Sequence, residues 1–199
     1  MHAASGSEFL LRSAGASLAR LGAAVLLVAF WLLVPIAHAD TIGVKSAEIR
    51  ADEDAYVLNA EFDLALNPTL EEALQKGVPL YFALEFELVR PRKYWFDEKV
   101  MSFSTQYRVS YNALTRQYRV ASGLLAQTFD GLDEVERFLS RVTSRQIARA
   151  DELSKGTRYE AAIRLRLDIN QLPKPFQLNA LGSREWSLQS DWHRWSFTP

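Results

Sequence analysis

The sequence contains no cysteine, and this absence excludes several kinds of chemistry at once. Neither a disulfide, a thiolate metal ligand nor a cysteine nucleophile can form, so the fold must be stable through its core alone. Histidine is scarce too, with three in the chain. Two of them, His2 and His38, lie in the first forty residues. The remaining one, His193, cannot build a zinc site of the usual ligand sets. We predict neither a metal nor a cofactor.

Motifs of the common enzyme classes are also missing. The sequence has no G-x-S-x-G elbow, no glycine-rich phosphate loop and no dinucleotide fingerprint. Its formal net charge is −1, which argues against a nucleic-acid partner. One observation keeps an enzyme under consideration: Glu85 and Glu87 lie two residues apart on one predicted strand, roughly 7 Å between Cα atoms, as a glycosidase pair could. We favour an ordinary charge ladder with Arg164 and Arg166, and predict no catalytic residue.

The N-terminal segment has the successive regions of a secretory signal: basic residues, an apolar run and small residues. Arg12 and Arg20 precede an uncharged apolar run, residues 21–36, which ends at Ala37-His38-Ala39. The run is shorter than the roughly 20 residues that a spanning helix needs, so a cleaved signal is favoured over a membrane anchor. We predict a cleavable signal over residues 1–39 and one periplasmic domain over residues 40–199. No later apolar run could span a bilayer, so we expect no stable membrane insertion after cleavage.

Apolar and polar residues alternate along much of the predicted domain. The alternation is clear in "YVLNAEFDLAL", "LYFALEFELVR", "FSTQYRVSY" and "AIRLRLDI". An alternation with a period of two residues indicates strands with one buried and one solvent-exposed face, which is typical of antiparallel sheets. We predict a mainly β fold of seven or eight strands, an antiparallel two-layer β-sandwich (immunoglobulin-like) with two short helices. A partly open barrel is the alternative.

The two helices are expected between strands. "NPTLEEALQKG" offers a capping box at Thr69 and Glu72, with Gly77 as the stop. "DGLDEVERFLSRV" repeats apolar residues at helical spacing, with Asp130 or Asp133 near its start. "LPKPFQ" holds two prolines and is interpreted as a turn.

The last fourteen residues, "WSLQSDWHRWSFTP", hold three of the five tryptophans. Alternation places Trp195 and Phe197 on one face as core, and Trp186 is also expected to pack. Trp192 falls on the polar face with Arg194. Two explanations stay open: Arg194 or another cation covers the ring locally, or the ring is open and anchors a partner together with Tyr94 or Trp95.

A loop between two predicted strands, "VRPRKYWFDEKV", is the strongest candidate for recognition. It combines basic residues, three consecutive aromatic residues and two acidic residues on a strand connection. Alternatively, Tyr94 and Phe96 cap one end of the sandwich while the charges pair locally. The candidate partner-binding residues are Arg92, Tyr94, Trp95 and Trp192.

Several stretches of the chain resemble a known family. They are "LNPTLEEALQKGVPLYF", "YNALTRQYR", "LPKPFQ" and the terminal pattern "W-L-SDW-RW-F", within residues 56–198. They resemble exported proteobacterial proteins catalogued as a domain of unknown function, number 4390. The resemblance implies a periplasmic single domain without established catalytic or binding residues. In this family the genes tend to neighbour a membrane sensor kinase of the nitrogen-regulation type, which is therefore a candidate partner.

These observations together predict a non-enzymatic periplasmic protein that works by binding a protein partner, such as the outer part of a membrane signalling or envelope complex. The alternative is a small-ligand or glycan-binding module that uses exposed aromatic residues. A protein-binding module should expose a broad aromatic patch, whereas a ligand-binding module should have a concave pocket lined by aromatic residues.

Overall fold

The computed structural model describes residues 41–180 and 182–199. The predicted signal peptide lies outside these described residues. Within them the chain is mainly β, with antiparallel strands joined by short helices and turns. The strands are β1 (Gly43–Asp52), β2 (Ala55–Asp63), β3 (Leu80–Arg90), β4 (Glu98–Asn112), β5 (Gln117–Ser122), β6 (Leu125–Phe129), β7 (Arg141–Arg149), β8 (Tyr159–Leu167) and β9 (His193–Phe197). The α-helices are α1 (Pro68–Gln75), α2 (Leu132–Leu139) and α3 (Lys174–Ala180).

The strands form two sheets. One has three strands in the order β1-β2-β7, and the other has six in the order β6-β5-β4-β3-β8-β9. Contacts join the two layers: the rings of Tyr56 and Phe197 meet at 5.3 Å, and the Arg145 guanidinium lies 4.0 Å from the centre of the Phe103 ring. The two-layer sandwich is therefore confirmed, and the barrel alternative is wrong.

The likeness to an immunoglobulin domain is confined to the two antiparallel layers. In this protein β3 to β6 follow one another as a meander within one sheet. In an immunoglobulin domain, successive strands pass between the sheets through Greek-key connections. The described residues also contain nine strands rather than seven or eight.

The core is built on the inward side of β3. Phe82, Leu84, Phe86 and Leu88 alternate along this strand, and each is at most 1% exposed. The alternation in the sequence therefore predicted this face correctly. β3 lies between β4 and β8, so its row of side chains contacts neighbours on both sides as well as the opposite layer.

The helices differ in part from the prediction. α1 begins after Asn67, whose side chain accepts a 3.0 Å hydrogen bond from the Leu70 backbone N–H, so the predicted capping box at Thr69 and Glu72 is wrong. Gly77 ends this helix with φ +84°, a conformation that glycine adopts without strain. α3 begins within the stretch interpreted as a turn, so the described residues contain three α-helices rather than two. None of the described helices has the length and apolar character to cross a membrane.

The terminal tryptophans mostly belong to the core, as predicted. Trp186 is buried, although it lies in a short 3-10 turn rather than a strand. Trp195 and Phe197 pack against the core from β9. His193 is half-buried with its ring 5.6 Å from that of Trp195.

The core assignment can be tested by comparing a buried phenylalanine with an exposed one. Phe86→Ala removes a ring that is fully buried between the layers, and we expect the free energy of unfolding to fall by about 3–5 kcal/mol. Phe96→Ala removes a ring that is 96% exposed, and the expected loss is below about 0.5 kcal/mol. Urea unfolding of both purified variants measures the difference. Equal losses would show that the inward face of β3 is assigned wrongly.

Candidate functional site

The tip loop, residues 91–97, joins β3 to β4 at the end of a long hairpin. The two strands pair at eleven positions, from Leu80 with Val109 to Arg90 with Glu98. Pro91 follows the last paired residue of β3, and because proline has no backbone N–H it cannot continue the ladder. The pairing contains one bulge, between Leu88 and Val89, and continues beyond it to Arg90 and Glu98. It therefore holds the base of the loop in place and directs its tip away from the core.

Three consecutive aromatic side chains of the tip loop face solvent. Tyr94 is 89% exposed, Trp95 is 80% exposed and Phe96 is 96% exposed. The alternative that Tyr94 and Phe96 cap one end of the sandwich is therefore wrong. Each of these side chains carries roughly 150–250 Å² of surface. Contiguous apolar exposure of this kind is uncommon on a globular domain and is typical of interaction sites.

The charges at the base of the loop pair with one another, which is the part of the capping alternative that holds. The Glu98 carboxylate accepts hydrogen bonds from the guanidinium groups of Arg90 and Arg92. The hydrogen bond from Arg92, followed by that from Arg90, lowers the pKa of Glu98 below its ordinary value. The Arg92 backbone N–H also donates to the Asp97 carboxylate at 3.4 Å. Arg92 therefore fixes the base of the loop, while the aromatic residues form its exposed surface.

Trp192 lies on the outer face of the six-stranded sheet and is half-buried. The Arg164 guanidinium is 4.5 Å from the centre of its ring, and the Arg194 guanidinium is 5.9 Å away. Both distances are within the range of a cation–π contact. The explanation that a cation covers the ring locally is therefore supported, and Arg164 is nearer than Arg194.

The structure does not bring Trp192 together with the tip loop. Its neighbour His193 pairs with Ile163, which pairs with Phe86 in the middle of β3. The tip loop begins after Arg90, four residues or about 13 Å further along that strand. Of the four predicted partner-binding residues, Arg92, Tyr94 and Trp95 thus share one surface, and Trp192 belongs to another.

The carboxylates that suggested a glycosidase lie on the same outer face. Glu85 accepts hydrogen bonds from Arg164 and Arg166, and Glu87 accepts one of 3.1 Å from Lys99. Burial raises the pKa of Glu85, but the hydrogen bonds from the two arginines outweigh it, so the pKa lies below its ordinary value. A general acid of a glycosidase needs a raised pKa. The predicted charge ladder is therefore confirmed for Glu85.

A groove that the sequence did not reveal lies between the layers. Its volume is about 510 Å³, and its lining includes Tyr107, Val120, Leu125, Phe138 and Arg145. The Tyr107 and Phe138 rings meet edge to face at 6.2 Å, so the aromatic walls already pack on one another. Burial raises the pKa of Tyr107, and the positive charge of Arg145 acts against that rise.

Metal binding has no support in the described part of the chain. There, no group of three or more histidine, aspartate or glutamate side chains is arranged to hold an ion. The acidic turn at residues 52–54 borders an open groove with Arg149 and Asp151, and these two side chains pair with each other.

The contribution of the charge ladder can be measured with two matched variants. Glu85→Gln removes the carboxylate that Arg164 and Arg166 share, although Arg166 keeps its ion pair with Asp168. We expect the free energy of unfolding to fall by about 1–2 kcal/mol at neutral pH. Glu87→Gln removes one exposed pair and should cost about 0.5 kcal/mol or less. Because the pKa of Glu85 is lowered in the folded state, its stabilisation is present above the unfolded value of about 4.3 and is lost as the pH falls through the folded pKa. Denaturant unfolding at several pH values should therefore show the Glu85→Gln deficit shrinking below about pH 4. A deficit that grows on acidification would contradict this assignment.

Comparison with known proteins gives a family and no function. The model of a family described as "Domain of unknown function (DUF4390)" matches residues 39–196. No curated protein matches the chain. No solved structure matches it either. The matched range includes β1 to β8, all of β9 except Phe197, the tip loop and most of the motifs behind the resemblance. The chain therefore belongs to the DUF4390 family.

Proposed function

We propose that this protein is a non-enzymatic periplasmic protein that binds a protein partner through its tip loop. The observation that carries the proposal is the exposure of Tyr94, Trp95 and Phe96 at the end of a hairpin whose strands pair at eleven positions. Tyrosine, tryptophan and arginine are the residues that contribute most to binding at protein interfaces. A loop fixed at its base also loses little conformational entropy on binding.

The shape of the site favours a protein over a small ligand. The three aromatic residues project from a convex hairpin end, whereas small-ligand sites are concave and enclose most of their ligand. The groove between the layers is concave, but its Tyr107 and Phe138 rings contact each other. A small-ligand or glycan-binding module is therefore the weaker candidate.

The charge pattern supports binding rather than catalysis. The carboxylates on the outer face are held by Arg164, Arg166 and Lys99, which suits a structural ladder. The tip loop offers aromatic surface beside Lys93, which pairs with no carboxylate among the described residues. Such a surface fits a partner with an apolar pocket and acidic groups at its rim. The outer part of a membrane signalling complex, including a sensor kinase, is the partner class that we favour.

The proposal is tested by truncating the tip. The double variant Tyr94→Ala and Trp95→Ala should keep its melting temperature, because both side chains are exposed. Recovery of the cross-linked partner with the tagged protein should fall at least about tenfold, since loss of an interface anchor costs roughly 2 kcal/mol or more.

Two control variants separate this effect from a general loss of surface or stability. Leu114 is 96% exposed at the β4–β5 turn, and Leu114→Ala should leave recovery unchanged. Trp192→Ala removes the ring that Arg164 covers. It should lower stability by about 1 kcal/mol without changing recovery at matched amounts of folded protein. Undiminished recovery with the double tip variant would refute the proposed site.

A further inference from the structure

We infer that the groove between the two layers binds a small organic anion, a carboxylate with an apolar body, and that Arg145 is its counter-ion. The groove is separate from the tip loop, so this inference goes beyond the proposed function and depends on different residues. Its starting point is the difference in width between the two sheets, since one has three strands and the other has six.

The inward face of the six-stranded sheet is left open towards β6. Ser122 of β5 pairs with Leu125 of β6, and both line the groove together with Val120. Val120 is buried in the core, whereas Leu125 is 80% exposed although it lies on the same face. The floor of the groove is therefore sheet surface that the second layer leaves uncovered.

The contact between the Tyr107 and Phe138 rings does not fill the groove. It forms one wall, and the volume of about 510 Å³ is the space that remains beside it. Ligand pockets commonly enclose roughly 300–1,000 Å³, so this space suits a small molecule. Thr105, Ser122 and Gln127 also line it and place uncharged hydrogen-bonding groups among the apolar ones.

Arg145 is the only charged residue among the described residues that line the groove. Its guanidinium lies 4.0 Å from the centre of the Phe103 ring. Within the described part of the chain, its side chain forms neither a salt bridge nor a hydrogen bond. A guanidinium that lies against a ring can still donate two parallel hydrogen bonds to a carboxylate. The groove thus offers a half-buried positive charge with free donors.

The backbone of β7 turns Arg145 into the groove. Arg145 pairs with Leu58 of β2, which is fully buried on the inward side. Val142 pairs with Ala60, so three steps along β7 correspond to two along β2, and β7 has a bulge between these pairs. Without this bulge, alternation from the inward Val142 would turn Arg145 to the outside.

The bulge has an uncommon backbone conformation that a side chain supports. Ser144 has φ +47°, a left-handed conformation that residues other than glycine adopt rarely. Its backbone N–H donates a 2.9 Å hydrogen bond to the Asn59 side chain. Bulges often re-aim a side chain beside an active or binding site, and the side chain re-aimed here is the cation of the groove.

The class of ligand follows from this arrangement. An apolar body fits the surface of Val120 and Leu125 and the wall at Phe138, where its removal from water is favourable. A planar carboxylate fits the donors of Arg145, whereas a cation would meet no acidic group in the lining. A medium-chain fatty acid has this chemistry, and octanoate is therefore a suitable probe.

Titration calorimetry with octanoate tests the site on the purified protein. We expect saturable binding of one octanoate per chain, and octan-1-ol should bind at least about tenfold more weakly because it lacks the charge. Arg145→Gln should weaken octanoate binding by a similar factor. Arg108→Gln is the control, because it removes an exposed arginine from the outer face of β4, and it should leave the affinity unchanged. Circular dichroism checks that each variant is folded, and equal affinities of the two variants would overturn the inference.

A second pair of variants leaves the packing between the layers intact. Leu124 and Leu125 are adjacent and exposed at the β5–β6 turn, but only Leu125 lines the groove. Leu125→Asp should weaken octanoate binding about fivefold or more, because it removes apolar contact and adds a like charge. Leu124→Asp adds the same charge outside the groove and should have little effect. Equal effects of the two variants would refute the site.

The groove and the tip loop can be tested separately. The double variant Tyr94→Ala and Trp95→Ala should bind octanoate with unchanged affinity, because neither residue lines the groove. An inward charge on an edge strand such as β7 can also serve only to prevent strand pairing. That role alone predicts no saturable binding of octanoate, and this result would overturn the inference while leaving the partner-recovery test of the tip loop valid.

Discussion

The burial of one row of side chains on β3 is the constraint on which the rest of this structure depends. Phe82, Leu84, Phe86 and Leu88 are removed from water on the inward side of the strand. Because side chains alternate along a strand, a slip of one residue in its pairing would turn this row to solvent. The pairing of β3 with β4 and β8 is therefore fixed, and with it the position at which the hairpin ends. The tip loop lies where that register places it.

The outer face of the same sheet is exposed to solvent and carries charged side chains that pair with one another. Glu85 is held by two arginines from β8, and one of these, Arg164, also lies over the Trp192 ring. In the middle of the sheet, the charged side chains thus pair with one another and also cover the aromatic ring. At the tip loop the charged groups pair at the base and leave the aromatic residues uncovered. This contrast is the physical reason to place recognition at the tip rather than at Trp192.

Alternation in the sequence was enough to predict the antiparallel layers, the inward face of β3 and the packing of the terminal tryptophans. It could not show which charge covers Trp192, because Arg164 comes from a strand whose position depends on the sheet order. It also could not show whether Tyr94 and Phe96 fold back onto the sandwich, since both outcomes share one pattern. α3 was missed because Pro173, just before the helix, and Pro175, in its first turn, suggest a turn. Proline is tolerated before and within the first turn of a helix.

The central claim is that the exposed aromatic tip contacts a partner protein in the cell. A photo-reactive amino acid placed at Phe96 can report this contact directly, with the same substitution at Leu114 as the control, since both side chains are 96% exposed. The account predicts that illumination of living cells joins the Phe96 variant to a second, different protein and leaves the Leu114 variant unlinked. Adducts of equal yield at both positions, or none at position 96, would contradict it.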